Sequence, residues 1–241
     1  MKFAIIAAGE GSRLVNEGVL RPKPLVCLHG EPMIERLIRI FAANNASSVC
    51  VIVNAEMHEV YDRLLQTTYP VPLQIIRKST PSSMHSFYEL SPALGVDNFC
   101  LTTVDTVFRE DEFSAYIDAF NHCTADGLFA VTGYVDDEQP LYVETDENRV
   151  IQGFHDEAVA GSRYVSGGIY CLKNSSIPFL KTAVDAGMSK MRNYQRLLVK
   201  SGLRLQAWPF SKIIDVDRSE DIRQAELFLQ DMYNKKEKLI Q

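Results

Sequence analysis

The sequence predicts an α/β fold: a mixed, mainly parallel sheet with helices on both faces and a small antiparallel insertion. Short apolar runs alternate with stretches of helical periodicity through the first half of the chain. The first of these runs, from Lys2 to Ala8, is apolar at consecutive positions, as a strand buried on both faces must be. Between about residues 134 and 172 the rhythm changes to closely spaced strand-like runs, two of them joined by Asp146-Glu147-Asn148.

Taken in order, Lys2 to Ala8 is the first strand. Pro32 to Asn44 carries Met33, Ile34, Leu37, Ile38 and Phe41 on one helical face, with charges between them. Ser48 to Asn54 is the second strand, Glu56 to Gln66 a helix, Leu73 to Arg77 the third strand and Met84 to Leu94 a helix. Phe99 to Thr103 is the fourth strand, followed by a helix near Asp111 to Phe120 and a strand near Leu128 to Gly133. Leu141 to Thr145 and Arg149 to Phe154 form the hairpin, and Tyr164 to Leu172 is a strand entered through Ser166-Gly167-Gly168. Met191 to Lys200 is a helix and Leu203 to Trp208 the last strand. Ser219 to Lys236 closes the chain as a helix whose Ser-Glu-Asp start supplies an N-cap and a first turn matched to the helix dipole. No internal repeat, low-complexity stretch or Gly/Ser/Pro linker interrupts the pattern, so a single Rossmann-like domain over residues 1–241 is expected. Ligands of such a sheet bind at the carboxyl ends of its strands.

Composition narrows the partners. With 241 residues, 46% hydrophobic and 23% charged, the chain is an ordinary folded one, not disordered, collagen-like or coiled-coil. Lys and Arg number 25 against 31 Asp and Glu, a net charge of −6 that argues against nucleic acid and anionic membranes as partners. Phosphate binding would then need a small basic pocket of its own. No apolar run approaches the roughly 18 residues that span a bilayer. Cys27, Cys50, Cys100, Cys123 and Cys171 are widely spaced, with no C-x-x-C pair and no zinc pattern, and are expected as reduced, mostly buried thiols. Met1-Lys2 leads straight into the first strand without a signal-peptide pattern, so a cytoplasmic location is expected. The five histidines show no ligand spacing and are expected to be structural or at the surface.

The densest local signal follows the first strand: Ala7-Ala8-Gly9-Glu10-Gly11-Ser12-Arg13-Leu14, then Arg21-Pro22-Lys23-Pro24-Leu25. Glycines directly after a buried strand let the backbone approach a ligand and aim N–H groups at an anion. A dinucleotide fingerprint would need glycine where Leu14 stands, and a P-loop would need Gly-Lys-Ser/Thr; neither is present. The segment offers two fixed cations, Arg13 and Lys23, suited to a triphosphate. Singly, Gly-x-Gly is also a common tight turn and Pro-Lys-Pro a stiff loop. Together they resemble the N-terminal signature of the NTP-transferase family of nucleotidyltransferases, the sugar-1-phosphate nucleotidylyltransferases and relatives that make CDP-choline. That resemblance implies a GT-A-like fold and an NTP and a phosphorylated small molecule as substrates, with Mg²⁺ as cofactor. It also implies roles: Ala8, Gly9, Gly11 and Ser12 around the nucleotide, Arg13 on the β- and γ-phosphates, and Lys23 on the α-phosphate and the attacking phosphate. Arg13 and Lys23 are the candidate catalytic pair.

Leu101 to Phe108 ends the fourth strand where the family writes L-x-x-G-D-x-x-F, which implies Asp105 as a metal ligand; oxygen donors suit Mg²⁺. Read alone, Asp105 also suits the cap of a following helix. Val104 stands in place of the family's glycine. Ile213 to Ile222 resembles the family's second acidic motif, which implies Asp217 as the other ligand, with Asp215 the second choice.

The pattern weakens elsewhere. Pro81 to Tyr88 keeps small residues in Ser82 and Ser83, which would face the nucleotide, but Met84 and His85 do not fit the sugar-transferase pattern, and the stretch resembles choline-phosphate cytidylyltransferase-like members somewhat more. Val150 to Glu157 offers Asp156 for the family's acceptor-binding glutamate, while Glu157 takes the place of a phosphate-binding lysine, leaving Arg163 or Lys212 as substitutes. Ser166 and Gly167 lie where the family's backbone passes the acceptor. Three functions follow in order: Mg-dependent transfer to a sugar 1-phosphate, CTP-dependent transfer to phosphocholine or another non-sugar phosphate, and an inactive nucleotide-binding regulator. The base and the acceptor stay open, as does homo-oligomer formation.

Overall fold

The structure is a computed structural model that describes residues 1–135, 139–160 and 162–240, with side chains through Gln230. Its elements are β1 (Lys2–Ala7), α1 (Ser12–Asn16), β2 (Cys27–Leu28), β3 (Glu31–Pro32), α2 (Met33–Ala43), β4 (Ser48–Val53), α3 (His58–Gln66), β5 (Leu73–Arg77), α4 (Ser83–Leu94), β6 (Phe99–Thr103) and β7 (Thr106–Val107). The second half adds α5 (Glu110–Asn121), β8 (Gly127–Thr132), β9 (Tyr142–Thr145), β10 (Ile151–His155), β11 (Ser162–Leu172), α6 (Ile177–Asp185), α7 (Met191–Lys200), β12 (Leu205–Phe210), β13 (Ile214–Asp215) and α8 (Ser219–Ile240).

The parallel strands run in the order β6-β1-β4-β5, with β11 added antiparallel beside β6. β11 also pairs antiparallel with β8 and β9, and β12 continues the sheet parallel to β8. The expected antiparallel insertion joins the main sheet and extends it through β9, β10 and β11.

Strand periodicity explains the unbroken apolar run of β1. Phe3, Ile5 and Ala7 pack on one face with Phe41, Val51, Phe113 and Tyr116, from β4, α2 and α5. Ala4, Ile6 and Ala8 pack on the other with Phe87, Leu180, Tyr194 and Leu198, from α4, α6 and α7. The Tyr116 hydroxyl ties the helix layer to the sheet, donating to Leu128 O at 2.5 Å and accepting from Cys171 N at 2.8 Å. All five cysteines are free thiols, three of them buried.

The structure adds elements that the sequence pattern does not reveal. No element is expected between Leu172 and Met191, yet α6 lies there; its early Pro178 suits a helix start and hides it from a search for uninterrupted periodicity. β7 and β13 are two residues each, too short for any period, and pair only with one another. The C-terminal helix runs to Ile240, past the expected Lys236. Among the described residues no helix is long and apolar enough to cross a membrane.

Candidate active site

The carboxyl ends of β1, β4 and β6 open onto a cleft of about 700 Å³. Ala8, Gly9, Gly11, Ser12 and Arg13 line one side, and Ser82 and Ser83 at the start of α4 line the opposite side. All seven expected nucleotide-binding residues thus share one cavity. Gly11 has φ 64°, the left-handed region where glycine is favoured, and a Cβ there would stand 2.8 Å from the Cβ of Lys23. Glycine at this point lets the loop pack against Lys23 as it turns into α1.

Lys23 begins the 3₁₀ turn Lys23–Leu25 and is 8% exposed. Its Nζ donates to Asp105 Oδ2 and, at 2.6 Å, to Asp217 Oδ1. Arg13 Nη1 donates to Asp217 Oδ2 at 3.0 Å. The two carboxylates meet because β13 pairs antiparallel with β7, Ile214 opposite Val107, and Val216 N donates to Asp105 O at 3.0 Å. Residues more than a hundred apart in sequence are thereby set around one ammonium. Burial works against the charge of Lys23, yet the two carboxylates outweigh it and hold the ammonium above its ordinary value. Burial alone would raise the Asp105 carboxyl; the Lys23 ammonium and its hydrogen bond hold it below the ordinary carboxylate value instead.

Two properties of this cluster suit a divalent cation. Asp105 Oδ1 is buried without a hydrogen-bond partner among the described residues, so one carboxylate oxygen is free to ligate. Asp105 and Asp217 both lie within hydrogen-bond reach of one nitrogen, close enough for one ion to touch both. Mg²⁺ is commonly held by one or two carboxylates plus substrate phosphates and water, and needs no larger cage. No group of three or more His, Cys, Asp or Glu poised for a metal occurs among the described residues. Asp215 lines the adjoining pocket together with Asp105 and Asp217.

The cleft is not the basic pocket that the net charge suggested. Two cations, Arg13 and Lys23, face four carboxylates: Glu10, Glu56, Asp105 and Asp217. Carboxylates therefore outnumber cations in the cleft lining.

Residues that the sequence pattern left aside also line the cleft. Asn54, at the end of β4, accepts from Glu56 N at 3.0 Å and from Ser79 Oγ at 2.9 Å, and Thr80 Oγ1 lies 2.5 Å from Ser86 Oγ. Only the rule placing ligands at strand ends could have flagged Asn54. No histidine lines this cleft.

Ser166 and Gly167 reach the adjoining pockets, beside Asp215 and Asp217. Asp156 does not join them: it pairs with Arg192 at 2.5 Å and Arg196 at 2.8 Å in a neighbouring depression. The two arginines hold its carboxyl below the ordinary value. Arg163 is exposed and Lys212 Nζ sits 3.9 Å over the Tyr134 ring. The cations that do line the adjoining pocket are Lys190 and Arg192, at the start of α7, with no motif to announce them. Val104, in place of the family's glycine, keeps out of the left-handed region, and its N–H donates to Ile6 O at 3.0 Å.

A glycine-rich loop after β1, two cations and two carboxylates at the carboxyl edge of a parallel sheet define a nucleotide-handling α/β protein. The comparisons agree: the family described as the MobA-like NTP transferase domain matches residues 3–165, and the chain belongs to it. The family is one of NTP transferases. A segment of 62 residues, 26% of this chain, is 41% identical to the bifunctional protein GlmU of Neisseria gonorrhoeae and spans only 13% of that protein. Among solved structures, a putative glucose-1-phosphate thymidylyltransferase from Bacillus anthracis, in complex with a sucrose, superposes with TM-score 0.82 at 19% identity, covering 96% of each chain. The inositol-1-phosphate CTP transferase from T. maritima gives TM-score 0.78 at 16% identity over 91% of this chain and 90% of its own. At these identities the two structures share the fold.

Proposed function

We propose that the protein catalyses Mg-dependent transfer of a nucleotidyl group from an NTP to a phosphorylated small molecule, with a sugar 1-phosphate first among acceptors. An acceptor phosphate oxygen attacks the α-phosphorus, the bond to the bridging oxygen of the β-phosphate breaks, and pyrophosphate leaves with that electron pair. The product is an NDP-sugar or its analogue. The observation that carries this reading is the Asp105–Lys23–Asp217 cluster at the junction of the nucleotide cleft and the adjoining pocket.

Each residue has a task in positioning and charge neutralisation, since the transfer needs no protein nucleophile. The Gly9–Gly11 loop follows the phosphates, Arg13 meets the β- and γ-phosphates, and Lys23 meets the α-phosphate. Bound by Asp105 and Asp217, Mg²⁺ would supply the positive charge that the acidic cleft lacks. The names of the two structural neighbours support a sugar or inositol phosphate as acceptor, and the inositol enzyme keeps CTP among the donors. The regular backbone at Val104 gives no support to an inactive regulator.

The test is pyrophosphate release with Mg²⁺, each NTP, and a panel of hexose 1-phosphates, inositol 1-phosphate and phosphocholine. Release is expected with at least one polyol phosphate. Asp105→Asn and Asp217→Asn should each lower kcat by roughly 100-fold or more, because charge stabilisation worth several kcal/mol is lost. Silence across the panel, or full activity in both variants, refutes the assignment.

A further inference from the structure

Past the carboxylate pair the cleft continues into a second pocket of about 400 Å³, walled by β11 and α7. Gln195 on α7 is 2% exposed and lines it. Its Nε2 donates to the Tyr170 hydroxyl at 2.9 Å, while its Oε1 is buried with no hydrogen-bond partner among the described residues. Ser166 Oγ, on β11 across the same pocket, is buried within reach of the Tyr170 hydroxyl. Gln195 Oε1 and, nearer the carboxylate pair, Asp105 Oδ1 are thus buried oxygens without partners among the described residues around one cavity. A buried polar atom left unpaired destabilises the fold, so a side chain kept in this state marks a place where a ligand supplies the missing donor.

Tyr170 completes the wall. Burial pushes its phenol up to about 12, so the hydroxyl stays protonated. It accepts from Gln195 and pairs with the Ser166 hydroxyl, which leaves one proton of the two hydroxyls to give. The wall therefore offers both acceptors and donors, the complement of a row of alcohols.

We propose that Gln195, Tyr170 and Ser166 read the hydroxyls of the acceptor, and that the acceptor is a phosphorylated polyol, a sugar or cyclitol phosphate, and not a phosphorylated quaternary amine. The inference rests on the nucleotidyl-transfer reading for the direction in which the acceptor lies. Its phosphate sits by Asp105 and Asp217, which line both cavities, and its carbon frame extends toward α7. A trimethylammonium group is recognised by aromatic faces. Tyr170 is the one aromatic among the described residues lining this pocket, and its hydroxyl is engaged with Gln195. A quaternary amine would leave Gln195 Oε1 unpaired, the circumstance in which a polar site rejects an analogue most strongly.

The test is calorimetric titration of hexose 1-phosphates, inositol 1-phosphates and phosphocholine into the full chain, with Mg²⁺ and each α,β-methylene nucleoside triphosphate present. At least one polyol phosphate is expected to bind and phosphocholine to give no heat. Gln195→Leu, Tyr170→Phe and Ser166→Ala are expected to weaken the polyol phosphate, Gln195→Leu by at least about tenfold, with the nucleotide analogue unaffected. Tyr170→Phe and Ser166→Ala remove single oxygens and keep the test open should Gln195→Leu melt early. The proposal is overturned if phosphocholine binds more tightly than every polyol phosphate, or if none of the probes binds. Wild-type affinity in variants that keep the wild-type melting temperature also overturns it. Polyol-phosphate binding without pyrophosphate release in the activity panel would sink the transfer reaction and leave this subsite standing.

Discussion

Removing the ammonium of Lys23 is the sharpest perturbation that the cluster offers. Lys23→Met keeps the aliphatic stem in its buried setting and deletes only the charge between Asp105 and Asp217. Breaking a buried ion pair by removing one partner costs about 3–5 kcal/mol, because an uncompensated charge is left in the interior. The side chain of Asp217 is 40% exposed and keeps Arg13 at 3.0 Å, so water and Arg13 absorb its share; that places the cost near the lower end, about 3 kcal/mol. For a chain of this size each kcal/mol shifts the melting temperature by roughly 2–4 °C, giving a loss of about 6–12 °C. The assay is thermal melting in EDTA of the wild type, Lys23→Met, Asp105→Asn and the double variant. Removing both partners of a buried pair costs far less than removing one, so the double variant should recover about half of the Lys23→Met loss or more. Millimolar Mg²⁺ should raise the melting temperature of Lys23→Met more than that of the wild type. A loss below about 2 °C in Lys23→Met, or a double variant no more stable than that single variant, refutes the placement of an essential counter-charge here.

Arg13→Ala removes an exposed pair and should change the melting temperature by about 1 °C or less, while a lost phosphate contact raises the KM for NTP roughly 10- to 100-fold in steady-state kinetics. Gly11→Ala forces a side chain into φ 64° and against Lys23, at about 1–2 kcal/mol of backbone strain, and should melt several degrees lower. Gly9→Ala meets nothing within 4 Å and should melt like the wild type. The Asp156 carboxyl lies below its ordinary value because Arg192 and Arg196 donate to it. The stability of that tie is therefore present above the ordinary carboxylate range near about 4 and is lost as pH falls through the lowered folded value. Carboxyl carbon shifts in an NMR titration of Asp156 should move only at acid pH, and in Arg192→Ala they should move at higher pH; an unchanged midpoint would remove Asp156 as the arginine anchor.

Much of the framework is legible in residue order because it depends on local chemistry. β5, β6 and α7 have the boundaries that their apolar periods indicate, and the loop from Ala8 to Arg13 declares itself through adjacent glycines and an arginine. Asp146 is equally local: its Oδ1 accepts from Asn148 N and Val150 N, the turn chemistry expected of Asp between two strands. α6 escapes such reading behind Pro178, and β7 and β13 are too short to show a period.

Residue order by itself determined the α/β class, the phosphate-facing loop and the identity of Lys23, Asp105 and Asp217 as the chemical candidates. What only the tertiary structure decided is their relation. The pairing of β13 with β7 closes two carboxylates on one lysine, the lining of the expected basic pocket holds more carboxylates than cations, and α7 brings Gln195 and Arg192 to the adjoining pocket while Arg192 pairs with Asp156 in the neighbouring depression. The physical reason is range: turns, caps and periodicity act over a few neighbouring residues, whereas charge compensation and burial depend on groups that the chain brings together only when the sheet closes.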